Sequence, residues 1–153
     1  MKSINIHASC VAINGKGVLI LGESGSGKSD LALRLMDEGA RLVADDRTEL
    51  SIERGGLCAR APKSIAGLIE VRGFGIVAQP FAAKARIALP VQLDPRPQRL
   101  PKPVIYAPPA PLKLAGMVPL LLLDGRLPSA PAKIRLALAA FAKGLRREDF
   151  NPT

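Results

Sequence analysis

Gly17-Val18-Leu19-Ile20-Leu21-Gly22-Glu23-Ser24-Gly25-Ser26-Gly27-Lys28-Ser29-Asp30-Leu31-Ala32-Leu33-Arg34-Leu35-Met36 is the stretch that decides the fold of this chain. Residues 17–21 form an apolar run of strand length, and from Asp30 onward apolar residues recur at helical spacing. Between them, Gly22 to Ser29 fills every fixed position of the pattern G-x-x-x-x-G-K-[ST]. Strand, glycine loop and helix in this order are the context that gives the pattern physical meaning. The glycines let successive backbone N–H groups point inward, and the helix N-terminus adds a partial positive charge. The segment Gly22, Glu23, Ser24, Gly25, Ser26, Gly27, Lys28 and Ser29 is therefore expected to hold the phosphates of a nucleoside triphosphate. Lys28 would reach the β- and γ-phosphates and the Ser29 hydroxyl would ligate Mg²⁺.

Upstream, Ser3 to Ile13 reads as a strand joined to the loop-bearing strand by a tight hairpin at Asn14-Gly15. Downstream, the first helix is predicted over Lys28 to Glu38, stopping at Gly39. Arg41 to Ala44 is a short strand ending in Asp45-Asp46. Glu49 to Glu53 alternates as a strand, and Gly55-Gly56 turns it back toward Leu57-Cys58-Ala59. Ile65 to Ile69 leads into Glu70 to Gly75, expected as a glycine-punctuated loop, and β-like runs follow at Ile76–Ala78 and Ile87–Leu93. Ten of the 14 prolines lie between Pro95 and Pro131, which predicts a long surface excursion interrupted by a strand at Val118 to Leu123. A helix from Ala132 to Gly144, with Ile134, Leu138 and Phe141 on one face, closes the chain. The pattern predicts an α/β fold with a mixed central sheet, an N-terminal β-hairpin and flanking helices, as one domain over residues 1–153. With 48% hydrophobic and only 3% aromatic residues, its core must be aliphatic.

Composition narrows the function classes. The longest apolar run, Pro119 to Leu123, is strand-sized, so no membrane span is expected, and the N-terminus has no signal-peptide character. Cys10 and Cys58 stand far apart without metal-ligand spacing, as two free thiols of a reducing cytoplasm. The net charge of +9 is uneven, with +2 over residues 1–94 and +7 over residues 95–153. Basic residues of the second half are spread singly, without aromatic interleaving, so nucleic acid is not the expected partner. An anionic protein surface fits better.

Phosphoryl chemistry needs a carboxylate near the metal and one near the acceptor. Asp45-Asp46 lies at the C-terminal end of a buried strand, where ligand crevices of open α/β sheets form. The two carboxylates can divide that work, unless one of them only caps the following turn. Glu70 is a third candidate, weak on its own, and the single histidine, His7, reads in isolation as a hydrogen-bonded strand residue.

Four blocks carry a family resemblance. They are His7 ahead of the hairpin, the phosphate loop Gly22–Ser29, Gly39-Ala40-Arg41-Leu42-Val43-Ala44-Asp45-Asp46-Arg47, and Ile69-Glu70-Val71-Arg72-Gly73-Phe74-Gly75-Ile76-Val77. Together they resemble the catalytic domain of the HPr kinase/phosphorylase family, over roughly residues 5 to 80. The resemblance implies a P-loop kinase-type domain that uses ATP and Mg²⁺ to phosphorylate a serine of an HPr-type phosphocarrier protein in the cytoplasm. It implies phosphate binding by Lys28 and the loop amides, and Mg²⁺ ligation by Ser29 with Glu70. Asp46 is implied as proton acceptor, and as donor in dephosphorylation, with Asp45 and His7 in support.

Departures from the family are also visible. His7 comes almost at the start, which implies a short form containing only the C-terminal catalytic domain. Arg99 is aligned only loosely with a catalytic arginine of the family, and of the family's Pro-Gly-Arg-Asn-like motif only Arg126 is matched. Phosphorolysis is thus less supported than kinase activity. The family's hexameric assembly would need apolar surface such as Ala137 to Phe141. Two readings stand beside this one: a P-loop small-molecule kinase, and a nucleotide-binding regulatory module without turnover.

Overall fold

The computed structural model describes residues 2–144. Strands β1 (Ser3–Ile13) and β2 (Lys16–Leu21) form the expected hairpin, with Ala8 opposite Leu21 and Ile13 opposite Lys16. Asn14 and Gly15 both take positive φ, 50° and 80°, the geometry that lets a two-residue turn follow the strand twist. The phosphate loop then leads into α1 (Lys28–Asp37), followed by β3 (Arg41–Ala44), β4 (Arg47–Glu53) and β5 (Gly56–Arg60). A separate two-stranded hairpin, β6 (Leu68–Val71) and β7 (Gly75–Ala78), precedes the long strand β8 (Ala85–Leu93). After the proline-rich segment come β9 (Leu121–Leu123) and α2 (Ala130–Lys143).

The main sheet has seven strands and is mixed. Antiparallel neighbours run β2-β1-β4-β5-β8, and β3 also pairs with β1. Strand β8 is parallel to β2 on one side and to β9 on the other, and it touches β5 near its start. The β5–β8 and β2–β8 pairings together close five strands into a ring. The parallel trio β2, β8 and β9 brings three carboxyl ends to one edge of the sheet, the edge at which the phosphate loop leaves β2.

Two aliphatic clusters fill the two faces. Val18, Ile20, Leu89, Val91, Leu31, Leu35 and Ile134 pack between the sheet and both helices. Cys10, Leu19, Val43, Leu50, Leu57 and Ile87 pack on the other face. Strand β8 serves both clusters because its register against β2 slips by one residue, from Gly17 opposite Ile87 to Val18 opposite Leu89. Side chains alternate with period two, so one extra residue sends Ile87 to one face and Leu89 to the other. Both cysteines are free and buried, and burial pushes the Cys10 thiol far above the ordinary range.

Most expected elements are present, with instructive differences. The segment expected as a loop at Glu70–Gly75 is the β6–β7 hairpin, in which Glu70 pairs with Ile76 and the turn occupies residues 72–74. The strand expected over Val118–Leu123 is shorter, Leu121–Leu123, and α2 starts two residues earlier than expected, with Pro131 in its first turn, where its missing N–H costs nothing. The proline-rich excursion is anchored rather than draped: Tyr106 and Leu112 are buried, and Ile105 bridges to Pro119. The stretch Ala137–Phe141 is no exposed apolar face, because Leu138 is buried and Ala137 and Phe141 pack against the helix-side cluster. No helix among the described residues is long and apolar enough to cross a membrane. On α2, Ile134 is fully buried whereas Leu136 is 71% exposed. We predict that Ile134→Ala lowers unfolding free energy by about 3 kcal/mol in urea titrations, whereas Leu136→Ala changes it by under about 0.5 kcal/mol.

Candidate active site

The phosphate loop is built from backbone first. Ser26 N–H donates to the Glu23 carbonyl (3.0 Å), curling residues 23–26 into a turn. Gly27, at φ 94°, is the N-cap of α1, and its carbonyl accepts from Leu31 N–H (3.0 Å). Gly22 is required by close approach, since a Cβ there would stand 2.5 Å from Ser26 Oγ. The Lys28 ammonium lies over the loop and donates to the carbonyls of Gly22 and Glu23, both at 2.9 Å. It is only 7% exposed, so its charge is held at the loop rather than in bulk water. Ser26 Oγ is buried without a hydrogen-bond partner, an orphan that a phosphate oxygen would satisfy.

The two adjacent aspartates occupy opposite environments. Asp45 is buried and its Oδ1 accepts from Ser29 Oγ (2.6 Å) and Ser9 Oγ (3.0 Å). Its Oδ2 accepts from the backbone N–H of Glu70 (3.1 Å). One carboxylate thus ties β1, α1 and β6 to the corner between β3 and β4. Asp46 is exposed and takes φ 66°, left-handed backbone that a non-glycine residue adopts at a cost. Its N–H donates to Ser9 Oγ (3.1 Å) and its carbonyl accepts from Ala8 N–H (3.1 Å), so the corner is clamped onto β1.

A cleft of about 430 Å³ opens between these parts, lined by Ser24, Lys28, Ser29, Asp46, Glu70 and Arg72 among others. It collects the Lys28 ammonium, the Arg72 guanidinium, the hydroxyls of Ser24 and Ser29 and the carboxylates of Asp30, Asp46 and Glu70 around one volume. Among the described residues no group of three or more His, Cys, Asp or Glu forms a protein-only metal cage. The oxygen donors present, Ser29 and Glu70 with Asp45 behind, suit Mg²⁺, which keeps waters and takes part of its coordination from substrate phosphates. His7 is exposed on β1 opposite Arg47 of β4, beside the Asp46 corner, and is not among the residues lining the cleft. Arg99 is exposed in the segment after β8 and lines neither this cleft nor the next.

A second cleft, of about 560 Å³, lies on the other flank of the loop and shares Ser24 and Gly25 with the first. Its far wall is the carboxyl ends of β8 and β9, with Gln92, Asp94, Asp124 and Arg126. Arg126 donates to Asp124 from Nε (3.1 Å), from NH2 (3.2 Å) and from its backbone N–H (3.1 Å). The guanidinium beside Asp124 holds that carboxyl below the usual carboxylate range. Arg34 of α1 donates to the carbonyls of Gly125 and Leu127, fastening this wall to the helix that follows the phosphate loop.

Four features of this region escape the sequence reading: Ser9, Arg72, the second cleft and the Arg34 tether. Asp94 and Asp124 carry the same signal as Asp45-Asp46, an acidic residue ending an apolar strand. What the pattern lacks is their parallel neighbour, because the β8–β9 pairing is formed across a 27-residue connection between Leu93 and Leu121. Ser9 has no local signal at all, since its partners lie 36 and 37 residues away.

The fold and loop place the chain in a broad class, mixed α/β proteins with a phosphate loop between a sheet strand and a helix. The family is narrower: the model of the HPr serine kinase C-terminal domain matches residues 1–94, and the chain belongs to that family. Its sequence is 47% identical over 72 residues to HPr kinase/phosphorylase of Clostridium beijerinckii, a match covering 47% of this chain and 24% of that protein. The chain therefore spans about a quarter of the length of this curated relative. The structure of the Hpr(Ser) kinase/phosphatase from Coxiella burnetii superposes with a TM-score of 0.76 at 26% identity, covering 93% of this chain and 98% of that one. The mixed sheet with flanking helices is common to both.

Ser9 offers a direct test of the corner. Ser9→Ala removes one bond to Asp45 and the acceptor of the Asp46 amide. We predict a loss of about 1–2 kcal/mol in urea unfolding and faster hydrogen exchange at the Asp46 amide than in the parent protein.

Proposed function

We propose that the chain is a protein-serine kinase that transfers the γ-phosphoryl group of ATP to a serine of an HPr-type phosphocarrier protein. The observation that carries this reading is the convergence of Lys28, Ser29, Asp46 and Glu70 on one cleft. Family membership supports the acceptor, as does the name HPr kinase/phosphorylase of the Clostridium relative.

The roles follow from where each group stands. The loop amides and Lys28 would hold the donor phosphates, with Lys28 exchanging its carbonyl partners for phosphate oxygens. Ser29 and Glu70 would hold Mg²⁺, which would supply charge neutralisation to the donor phosphates. Asp45 keeps Ser29 and the Glu70 backbone in register from behind. Asp46, exposed at the cleft mouth, would accept the serine hydroxyl proton as the oxygen attacks phosphorus. His7 would support that corner from β1. Run backward with inorganic phosphate as acceptor, the same groups would return a proton to serine and release pyrophosphate. Arg99 would join only by moving toward the cleft with its segment.

The decisive experiment incubates the protein with ATP, Mg²⁺ and HPr and measures the intact mass of HPr. A gain of one phosphoryl group, lost when the acceptor serine is replaced by alanine, is the expected result. An unchanged mass with intact ATP binding would move the reading toward a nucleotide sensor. Asp46→Asn should bind ATP–Mg²⁺ within about twofold of the parent yet lose phosphoryl transfer by about 100-fold or more. Lys28→Ala should lose both together, and transfer at the parental rate in either variant would remove the assigned role.

A further inference from the structure

Strand β1 buries a hydroxyl where its pattern calls for a hydrocarbon. By strand alternation Ser9 shares a face with Val11, which packs in the helix-side aliphatic cluster, and Ser9 itself is fully buried. A hydroxyl in that place is stable only when hydrogen-bonded, and its bonds go to the aspartate corner. Ser9 Oγ donates to Asp45 Oδ1 (3.0 Å) and accepts from the Asp46 N–H (3.1 Å). The polarity is forced. An amide N–H only donates, so a lone pair of Ser9 faces Asp46 and the single hydroxyl proton is left for Asp45. Asp45 Oδ1 also accepts from Ser29 Oγ (2.6 Å), so Ser9 and Ser29 share one acceptor atom.

Asp46, at φ 66°, is the middle residue of a γ-type turn that Arg47 N–H closes by donating to the Asp45 carbonyl (2.7 Å). The positive-φ form of this turn is rare and strained, and it persists only where its surroundings over-determine it. Here the Ala8 N–H holds the Asp46 carbonyl and Ser9 Oγ holds the Asp46 amide, from adjacent residues of β1. We propose that Ser9 is a positioning residue for phosphoryl transfer: its hydroxyl fixes the Asp46 turn and so governs the turnover rate rather than the affinity for nucleotide. The inference rests on the kinase reading given above. Ser9 is fully buried and is not among the residues lining the cleft, so it touches neither nucleotide nor acceptor. Its influence passes through its two partners, and these separate the effects. Without the hydroxyl, Asp45 still holds Ser29 through Oδ1 and the Glu70 amide through Oδ2, which keeps the phosphate and metal side in place. The Asp46 amide loses its acceptor on β1, and the strained turn relaxes, carrying the carboxylate off its line to the incoming serine. Ser9 thus ties the aim of the base to the same Asp45 oxygen that steadies Ser29.

Steady-state phosphorylation of HPr, well below the unfolding midpoint and normalised to the sites counted by Mg²⁺–ADP titration, tests this for the parent, Ser9→Ala and Ser9→Thr. Ser9→Ala should lower kcat about 10- to 100-fold while KM for ATP and Kd for Mg²⁺–ADP stay within about twofold. Ser9→Thr, which keeps the hydroxyl, should recover kcat to within about threefold of the parent. In an Asp46→Asn background, Ser9→Ala should cost less than about twofold more, because Ser9 acts through Asp46. Parental kcat in folded Ser9→Ala would overturn the proposal. Equal losses in kcat and in ADP affinity would overturn it too, by assigning Ser9 to the phosphate loop through Ser29. So would full additivity with Asp46→Asn, or a folded Ser9→Thr as slow as Ser9→Ala. If the parent itself binds Mg²⁺–ADP yet leaves HPr unmodified, the kinase reading fails and takes this role of Ser9 with it.

Discussion

A single buried carboxylate organises this molecule's candidate site. Asp45 accepts from Ser9 on β1, Ser29 on α1 and the Glu70 backbone on β6, and so joins three elements at one side chain. A buried carboxylate is stable only when its oxygens are satisfied, so each partner is needed for the charge to remain inside. The requirement works in the other direction too. With Asp45 held, the serine ending the phosphate loop, the corner bearing Asp46 and the strand bearing Glu70 cannot drift apart. Catalytic geometry of this kind tolerates little displacement, and a charge-assisted hydrogen-bond centre among aliphatic strands is a compact way to limit it.

The sheet supplies the second constraint. Parallel pairing of β2 with β8, and of β8 with β9, puts three strand ends in a row beneath the loop. The register slip within β8 is what allows this strand to serve the ring of β5, β4, β1 and β2 at its start and the helix-covered face at its end. Without the extra residue, Leu89, Val91 and Leu93 would face away from Leu31 and Ile134. Packing of the helices and placement of the two clefts therefore depend on the same local irregularity.

Local signals carried the first half of the chain. The hairpin at Asn14-Gly15, the strand–loop–helix around Lys28 and the aspartate pair after β3 are readable because each is made by neighbours in sequence. The four blocks of the family resemblance fall in this same half, and the matched family region ends at residue 94. Beyond it, prolines suppress periodicity, and the structure there is set by pairing with distant strands. The β6–β7 hairpin hid for another reason. Glycines at 73 and 75 mark a turn equally well as a loop, and only the Glu70–Ile76 ladder distinguishes them. Asp45 and Asp46 were legible as a pair, but not which one would be buried, since that depends on Ser9 and on the Glu70 amide.

The division between those two aspartates has a physical origin in the backbone. Consecutive residues of a strand point to opposite faces, but both faces of this sheet are covered near its centre. An Asp46 continuing β3 would have been driven into the apolar cluster around Val43 and Cys10. The left-handed conformation at Asp46 ends the strand instead and turns its carboxylate outward. Such a conformation costs about 1–2 kcal/mol for a residue with a Cβ. The Asp46 amide on Ser9 and the Asp46 carbonyl on Ala8 offset that cost on the spot. The strain is thus confined to one residue whose neighbours on both sides are fixed. Under the kinase reading, this holds an exposed carboxylate at the cleft mouth in one orientation, which is what a base facing an incoming protein hydroxyl requires.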